Sequence, residues 1–333
     1  MTFDQIISDI TNRNFKPLYF LQGDEPYFID LIVDKLMDGI LDEMQKAFNL
    51  NVLYGKDSDV ATIDNMARRF PMGAEYTVVV VKEAQSLNKI EDLVYYANSP
   101  SDSSILIMAY KYKTLDKRKK LHKAINKNGV LFTSNKVYDN KVPRWIQNYL
   151  SSKSIGIDPS AGVILTEFLG NDLGKISNEL DKLILTLPQG QNKIHADHIE
   201  ENIGISKDFN HFELMKALAK KNILKANRII EYFGKNQKLN NINQTISSLF
   251  YFFSKVLALH FMQSTSNREI ASTLHINPYF IGDYQTATRN YSKVKTVEII
   301  SILREFDLKS KGYGNPSVPA DQLLQEMIFK IMH

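Results

Sequence analysis

Cysteine is absent from all 333 residues. Its absence excludes disulfides, thiolate nucleophiles and cysteine-based zinc sites, and it fits a reducing compartment. Long apolar runs are missing too. No window approaches the roughly 18 uncharged apolar residues of a membrane-spanning helix, so none is expected, and no membrane partner either. The N-terminal stretch MTFDQIISDITNRNFK carries acids and has no uninterrupted apolar core, which argues against a signal peptide. A cytoplasmic location is the expectation. Charge of one sign is scarce: 41 Lys plus Arg against 37 Asp plus Glu leave +4. Any contact with nucleic acid must then come from local clustering, not from the balance of the whole chain. There is no internal repeat and no low-complexity tract.

What is present is ordinary globular material, 44% hydrophobic and 23% charged, in a chain too long for one core. Short apolar runs at Leu18–Leu21, Phe48–Tyr54, Thr77–Val81, Ser104–Ala109 and Val130–Ser134 read as strands buried on both faces. Helical stretches at Tyr27–Gln45, Val60–Arg69, Leu87–Ala97 and Asp116–Asn126 separate them. This alternation predicts an α/β domain with a parallel, doubly wound, five-stranded sheet. After about Pro143 the strand signals stop. A helix over Pro143–Ser152 opens a helical stretch broken at Gly170 and at Leu187–Lys193, and about five amphipathic helices follow from Phe209. The expected domains are 1–142, 143–208 and 209–333.

The first strand runs into LYFLQGDEPYFID, the place where a phosphate-binding loop belongs. Such a loop needs G-x-x-x-x-G-K-[ST], with backbone N–H groups around the phosphates, a Lys to neutralise them and a hydroxyl for magnesium. From Gly23, Phe28 stands in place of the second Gly, Ile29 in place of Lys and Asp30 in place of Ser or Thr. Asp24 and Glu25 repel phosphate, and Pro26 removes one N–H donor. The third strand leads into Lys82-Glu83, where an ATPase places an Asp that holds magnesium. Gly23, Asp24, Glu25 and Pro26 therefore form a degenerate nucleotide loop, and no cofactor is expected.

Four stretches in this order and spacing resemble the bacterial DNA polymerase III delta subunit family: LYFLQGDEPYFID, FPMGAEYTVVVVKEA, TLDKRKKLHKAINKNG and GNDLGKISNELDKL. The C-terminal third is similar mainly in length and helical character. The resemblance implies an AAA+-like core, a small helical lid and a helical collar. It implies a subunit that binds no ATP and has no catalysis of its own. Such a subunit grips the sliding clamp (the beta subunit) and opens its ring. Its implied partners are ATP-binding clamp-loader subunits in a hetero-pentamer and primed DNA.

On this resemblance the clamp-binding residues fall at Phe70, Pro71 and Met72. Pro71 departs from the family, which often has a larger hydrophobe there. The competing reading packs Phe70 under its own sheet, as helix-end hydrophobes usually do. Lys117, Arg118, Lys119 and Lys120, with Lys123 and Lys127, make the densest basic patch, on a helix capped by Asp116 and ended by Gly129. It is a DNA-contact candidate whose competitor is a solvated helix face. Tyr279 is a stacking candidate for primer-template DNA on the resemblance, against a core role. His195 and His198 share a helix face, but no third ligand is near in sequence, so no metal site is expected, and no catalytic residues are assigned. Three other readings compete. A working ATPase needs the loop chemistry that is missing. A Rossmann-type enzyme needs G-x-G-x-x-G after the first strand. A replication or repair scaffold without clamp contact is separated only by binding.

Overall fold

The computed structural model describes residues 1–138, 141–203, 206, 208–237, 241–262, 266–314 and 318–333, with backbone alone for Glu167, Phe168 and Tyr279. The chain divides into two compact units, Met1–Val137 and Tyr138–His333.

In the first unit, β1 (Leu18–Gly23), β2 (Leu50–Tyr54), β3 (Thr77–Lys82), β4 (Ser104–Lys111) and β5 (Val130–Ser134) form one sheet in the order β2-β3-β4-β1-β5. All neighbours are parallel, with Leu18 opposite Leu106, Tyr19 opposite Val130 and Leu50 opposite Val78. Because side chains alternate along a strand, each apolar run feeds two cores. Tyr19, Leu21, Val78, Val80, Ile105 and Ile107 pack against Ile29, Ile32 and Leu36 of α2 (Pro26–Ile40), together with Ile6 and Ile10 of α1 (Phe3–Thr11). Leu18, Phe20, Val79, Val81, Leu106 and Met108 pack on the other side. There they meet Ile63 of α4 (Val60–Ala67), Tyr96 of α5 (Val94–Asn98), and Leu121 and Ile125 of α6 (Lys120–Asn128).

The expected helix 27–45 is two helices. α2 stops at Ile40, and α3 (Glu43–Asn49) starts afresh. Asp42 accepts from the Gln45 N–H and the Gln45 side chain accepts from the Asp42 N–H, a capping box that marks a new start. Phe48 and Asn49 consequently belong to a helix and not to the second strand. The stretch 87–97 holds a 3-10 turn, Ile90–Leu93, before the short α5. Asp116 does not cap α6, which begins at Lys120 with no side-chain cap. Instead, Asp116 accepts from the Arg118 N–H at 2.9 Å in a local turn. Gly129 does end α6, its N–H bonded to the Ile125 carbonyl.

The second unit begins with α7 (Val142–Ser151), α8 (Pro159–Leu169), α9 (Leu173–Leu185) and α10 (Ala196–Ile203), together with a two-stranded parallel sheet. Its strands are β6 (Gly156–Ile157) and β7 (Lys193–Ile194), too short to leave a sequence period. Seven α-helices follow among the described residues, where about five were expected. They are α11 (His211–Ala219), α12 (Ile223–Lys235), α13 (Ile242–Leu259), α14 (Asn267–Leu274), α15 (Ile281–Asn290), α16 (Lys293–Ser310) and α17 (Ala320–Met332). Their core gathers Phe233, Phe252, Phe253, Tyr291, Phe306 and Met327.

Candidate functional site

In an open parallel sheet, ligands bind beyond the carboxyl ends of the strands where the order reverses, here between β1 and β4. The loop leaving β1 is closed by the chain itself. Gly23 has φ +123°, and a Cβ there would lie 2.1 Å from the Ser134 carbonyl oxygen at the end of β5. The Gly23 N–H donates to the Lys113 carbonyl at 3.0 Å, and its carbonyl accepts from Tyr112 at 2.8 Å. Glu25 donates its N–H to the Ser134 carbonyl, and the Ser134 hydroxyl donates back to the Glu25 carbonyl at 2.7 Å. The buried Glu25 carboxylate caps α2 by accepting from the Tyr27 N–H at 3.3 Å. A helix N-terminus attracts anions, and here the anion is already in the chain. Asp24 is exposed beside it, and Pro26 opens the helix.

A lysine lies at the same end of the sheet. Lys111, at the end of β4 and level with Gly23, places its Nζ 2.7 Å from Asp30 and 3.5 Å from Glu83. The Lys111 ammonium thus bridges Asp30, where a phosphate-binding loop would carry its Ser or Thr, and Glu83, one residue beyond Lys82. Burial pulls Lys111 down, but the bond to Asp30 and the charges of Asp30 and Glu83 outweigh it and leave its pKa above the ordinary value. Burial raises the Asp34 carboxyl, although nearby Lys82 opposes this. Gln85 fixes the corner, bonding to Glu83 and accepting from the Lys111 N–H at 3.0 Å.

The second candidate lies at the opposite ends of the strands, between α4 and β3. Phe70 is 86% exposed and Met72 68% exposed, with Pro71 half-buried between them. Phe70 therefore does not pack under its own sheet. Gly73 follows with φ +64°, and the Thr77 hydroxyl donates to the Arg69 carbonyl across the base of the turn. Asn49, 1% exposed at the end of α3, holds the turn. Its Nδ2 donates to the Met72 carbonyl at 3.0 Å, and its Oδ1 accepts from the Met72 N–H at 2.7 Å. A side-chain amide here serves as a strand partner would. The sequence reading missed Asn49 because it was assigned to a strand. The D-x-x-Q box at Asp42–Gln45 is the signal that places it on a helix.

The basic residues Lys117, Arg118, Lys119, Lys120, Lys123 and Lys127 are exposed. Arg118 is spent on Asp116, its Nη2 at 2.7 Å from the carboxylate. The loop before them is tied to the sheet through buried Gln22, which accepts from the Leu115 N–H at 2.8 Å. Tyr279 sits in a 3-10 turn, Pro278–Phe280, and its side chain lies outside the described residues. His195 and His198 do not converge. His195 Nδ1 meets Asp158 at 2.6 Å, whereas His198 Nε2 meets the Leu183 carbonyl at 3.0 Å.

The second unit also holds a cavity of about 420 Å³ lined by Phe212, Tyr251, Phe252, Lys255, Asp283 and Tyr284, among others. Burial pulls Lys255 down to about 8 and raises Asp283 and Tyr284. The Lys255 ammonium donates to the His275 carbonyl at 3.1 Å and lies over the Tyr251 ring.

Comparison with known proteins bears on family and fold. The family model described as DNA polymerase III, delta subunit matches residues 19–135, and that of its C-terminal domain matches residues 208–328. Together they span well over half of the chain. The curated DNA polymerase III subunit delta of Bacillus subtilis (strain 168) is 24% identical over 324 residues, which is 93% of this chain and 92% of that one. Among solved structures, the Bacillus subtilis DNA clamp loader delta protein aligns with a TM-score of 0.56 at 20% identity over 99% of both chains. At that identity the likeness is one of fold: the parallel five-stranded sheet followed by a helical C-terminal region.

Proposed function

The chain belongs to the DNA polymerase III delta subunit family, and from that premise we propose that it grips the sliding clamp and opens its ring without binding ATP itself. The observation that carries this reading is the 70–72 turn. Two large apolar side chains stand in solvent on a backbone fixed by Asn49. Exposed hydrophobes cost a free chain stability and solubility, and they are characteristic of docking sites. Burying each in a partner pocket gains about 1.5–3 kcal/mol. Because Asn49 has already ordered the turn, little of that gain is consumed in ordering it. Preferential affinity of the turn for the open ring would shift the clamp toward opening.

The closed loop at Gly23–Pro26 supports the other half of the proposal. Its N–H groups and its helix N-terminus are engaged by Ser134, Lys113 and Glu25, and the Lys111 ammonium sits between Asp30 and Glu83. Chemical work then falls to ATP-binding neighbours in a hetero-pentamer, and this subunit is non-catalytic. Within it, 1–142 acts as the AAA+-like domain, 143–208 as the lid and 209–333 as the collar that joins the neighbours. Lys117, Arg118, Lys119 and Lys120 are the contacts we assign to primed DNA in the cytoplasmic assembly, and Tyr279 is a separate stacking candidate for it.

The test is titration of the purified chain against its cognate clamp without nucleotide. Phe70→Ala combined with Met72→Ala should weaken binding by 100-fold or more, about 2.7 kcal/mol. Unchanged affinity would refute the assignment of the turn.

A further inference from the structure

We propose that α3 is the second half of the clamp-docking surface, with Met44 and Phe48 seating on the sliding clamp beside Phe70 and Met72. The inference rests on the clamp-gripping reading above and extends the site beyond the turn. Met44 is 82% and Phe48 70% exposed. Four residues apart on a helix, they project from one face as neighbours. Of the residues of α3, only Asn49 is buried, so the helix contributes almost nothing to its own core. Seven residues are too few for a helix to persist by propensity alone. α3 is held at both ends instead, by the Asp42–Gln45 capping box at its start and by the Asn49 clasp at its finish. The Lys46 charge within it is neutralised by Glu43 at 2.8 Å and Asp38 at 3.1 Å.

The clasp is what assigns the occupant. Asn49, the last residue of α3, bonds both backbone groups of Met72. The helix and the turn therefore move as one body, and a partner seated on Met72 meets the residue next to Phe48. The turn alone offers two apolar side chains, a small area for a stable protein interface. The adjoining α3 face supplies apolar area that is already ordered and otherwise idle.

Clamp binding by the full chain tests this with Met44→Ser combined with Phe48→Ser. Both sites are exposed, so the thermal midpoint should match wild type. Affinity should fall at least tenfold, and Phe48→Leu should retain most of it. Leu185→Ser, at another exposed apolar residue, should bind as wild type. If the double Ser variant binds the clamp normally while Phe70→Ala with Met72→Ala does not, the α3 assignment is overturned and the turn assignment stands. If neither pair affects binding, both fall. If sedimentation shows that wild type self-associates and the Ser variant does not, with clamp affinity unchanged, the face belongs to a second copy and the proposal is overturned.

Discussion

Replacing Asn49, itself 1% exposed, with Ala removes a donor and an acceptor from the Met72 backbone in a part-buried contact. Each lost hydrogen bond is worth about 0.5–1.5 kcal/mol, so a loss of about 1–2 kcal/mol is expected in urea unfolding, together with weaker clamp binding. Wild-type stability in Asn49→Ala would remove the clasp from the account. Gly23→Ala is predicted to be worse tolerated. It would force a Cβ onto the Ser134 backbone at φ +123° and cost more than about 2 kcal/mol. Lys255 gives a pH signature. Its folded pKa, about 8, lies below the ordinary Lys value of about 10.4. Between those values the unfolded chain holds a proton that the folded chain has lost, so stability rises with pH in that window. Wild type should therefore gain unfolding free energy relative to Lys255→Met from pH 8 to pH 10. Parallel curves would contradict the lowered pKa of the half-buried Lys255. At this scale the sequence disclosed what the nucleotide loop lacks, since each departure is a residue type in a known position. It did not disclose Asn49 or Lys111, because their roles depend on partners 23 and 81 residues away.

Strands and helices were legible wherever a period was long enough to read. The five strands of the main sheet were all located, because an apolar run buried on both faces differs plainly from its polar flanks. α2 and α3 read as one helix in the sequence because apolar spacing continues through Leu41; only the capping box at Asp42–Gln45 separates them. The two-residue strands β6 and β7 have no period to find. α6 illustrates a charge pattern whose meaning the fold leaves to its partners. Lys119 and Lys120 stand at its uncapped start, where the helix dipole disfavours cations. An approaching phosphate relieves that conflict. If the edge meets DNA in the assembled loader, Lys119→Gln combined with Lys120→Gln should lower the salt slope of DNA binding by about 0.9 per lost phosphate contact. An unchanged slope would return these residues to a solvated helix face.

At the scale of the whole molecule, the crevice where an open parallel sheet takes its ligands is closed by the chain itself. The order β2-β3-β4-β1-β5 leaves a crevice beyond β1 and β4, and side chains of the same subunit fill it with one anion at the helix end and one cation between acids. Apolar surface is instead offered at the far ends of the strands, on the turn after α4 and on α3. The first unit was legible because its βα alternation repeats. The helical remainder was legible in class but not in helix count, since amphipathic helices joined by two or three polar residues merge in sequence. The most direct test is to titrate one preparation of the pure chain twice, with its clamp in the absence of nucleotide and with magnesium-ATP. The account predicts clamp binding that Phe70→Ala with Met72→Ala weakens 100-fold or more, and no saturable ATP binding up to millimolar concentration. Micromolar ATP affinity together with indifference to the clamp would contradict it.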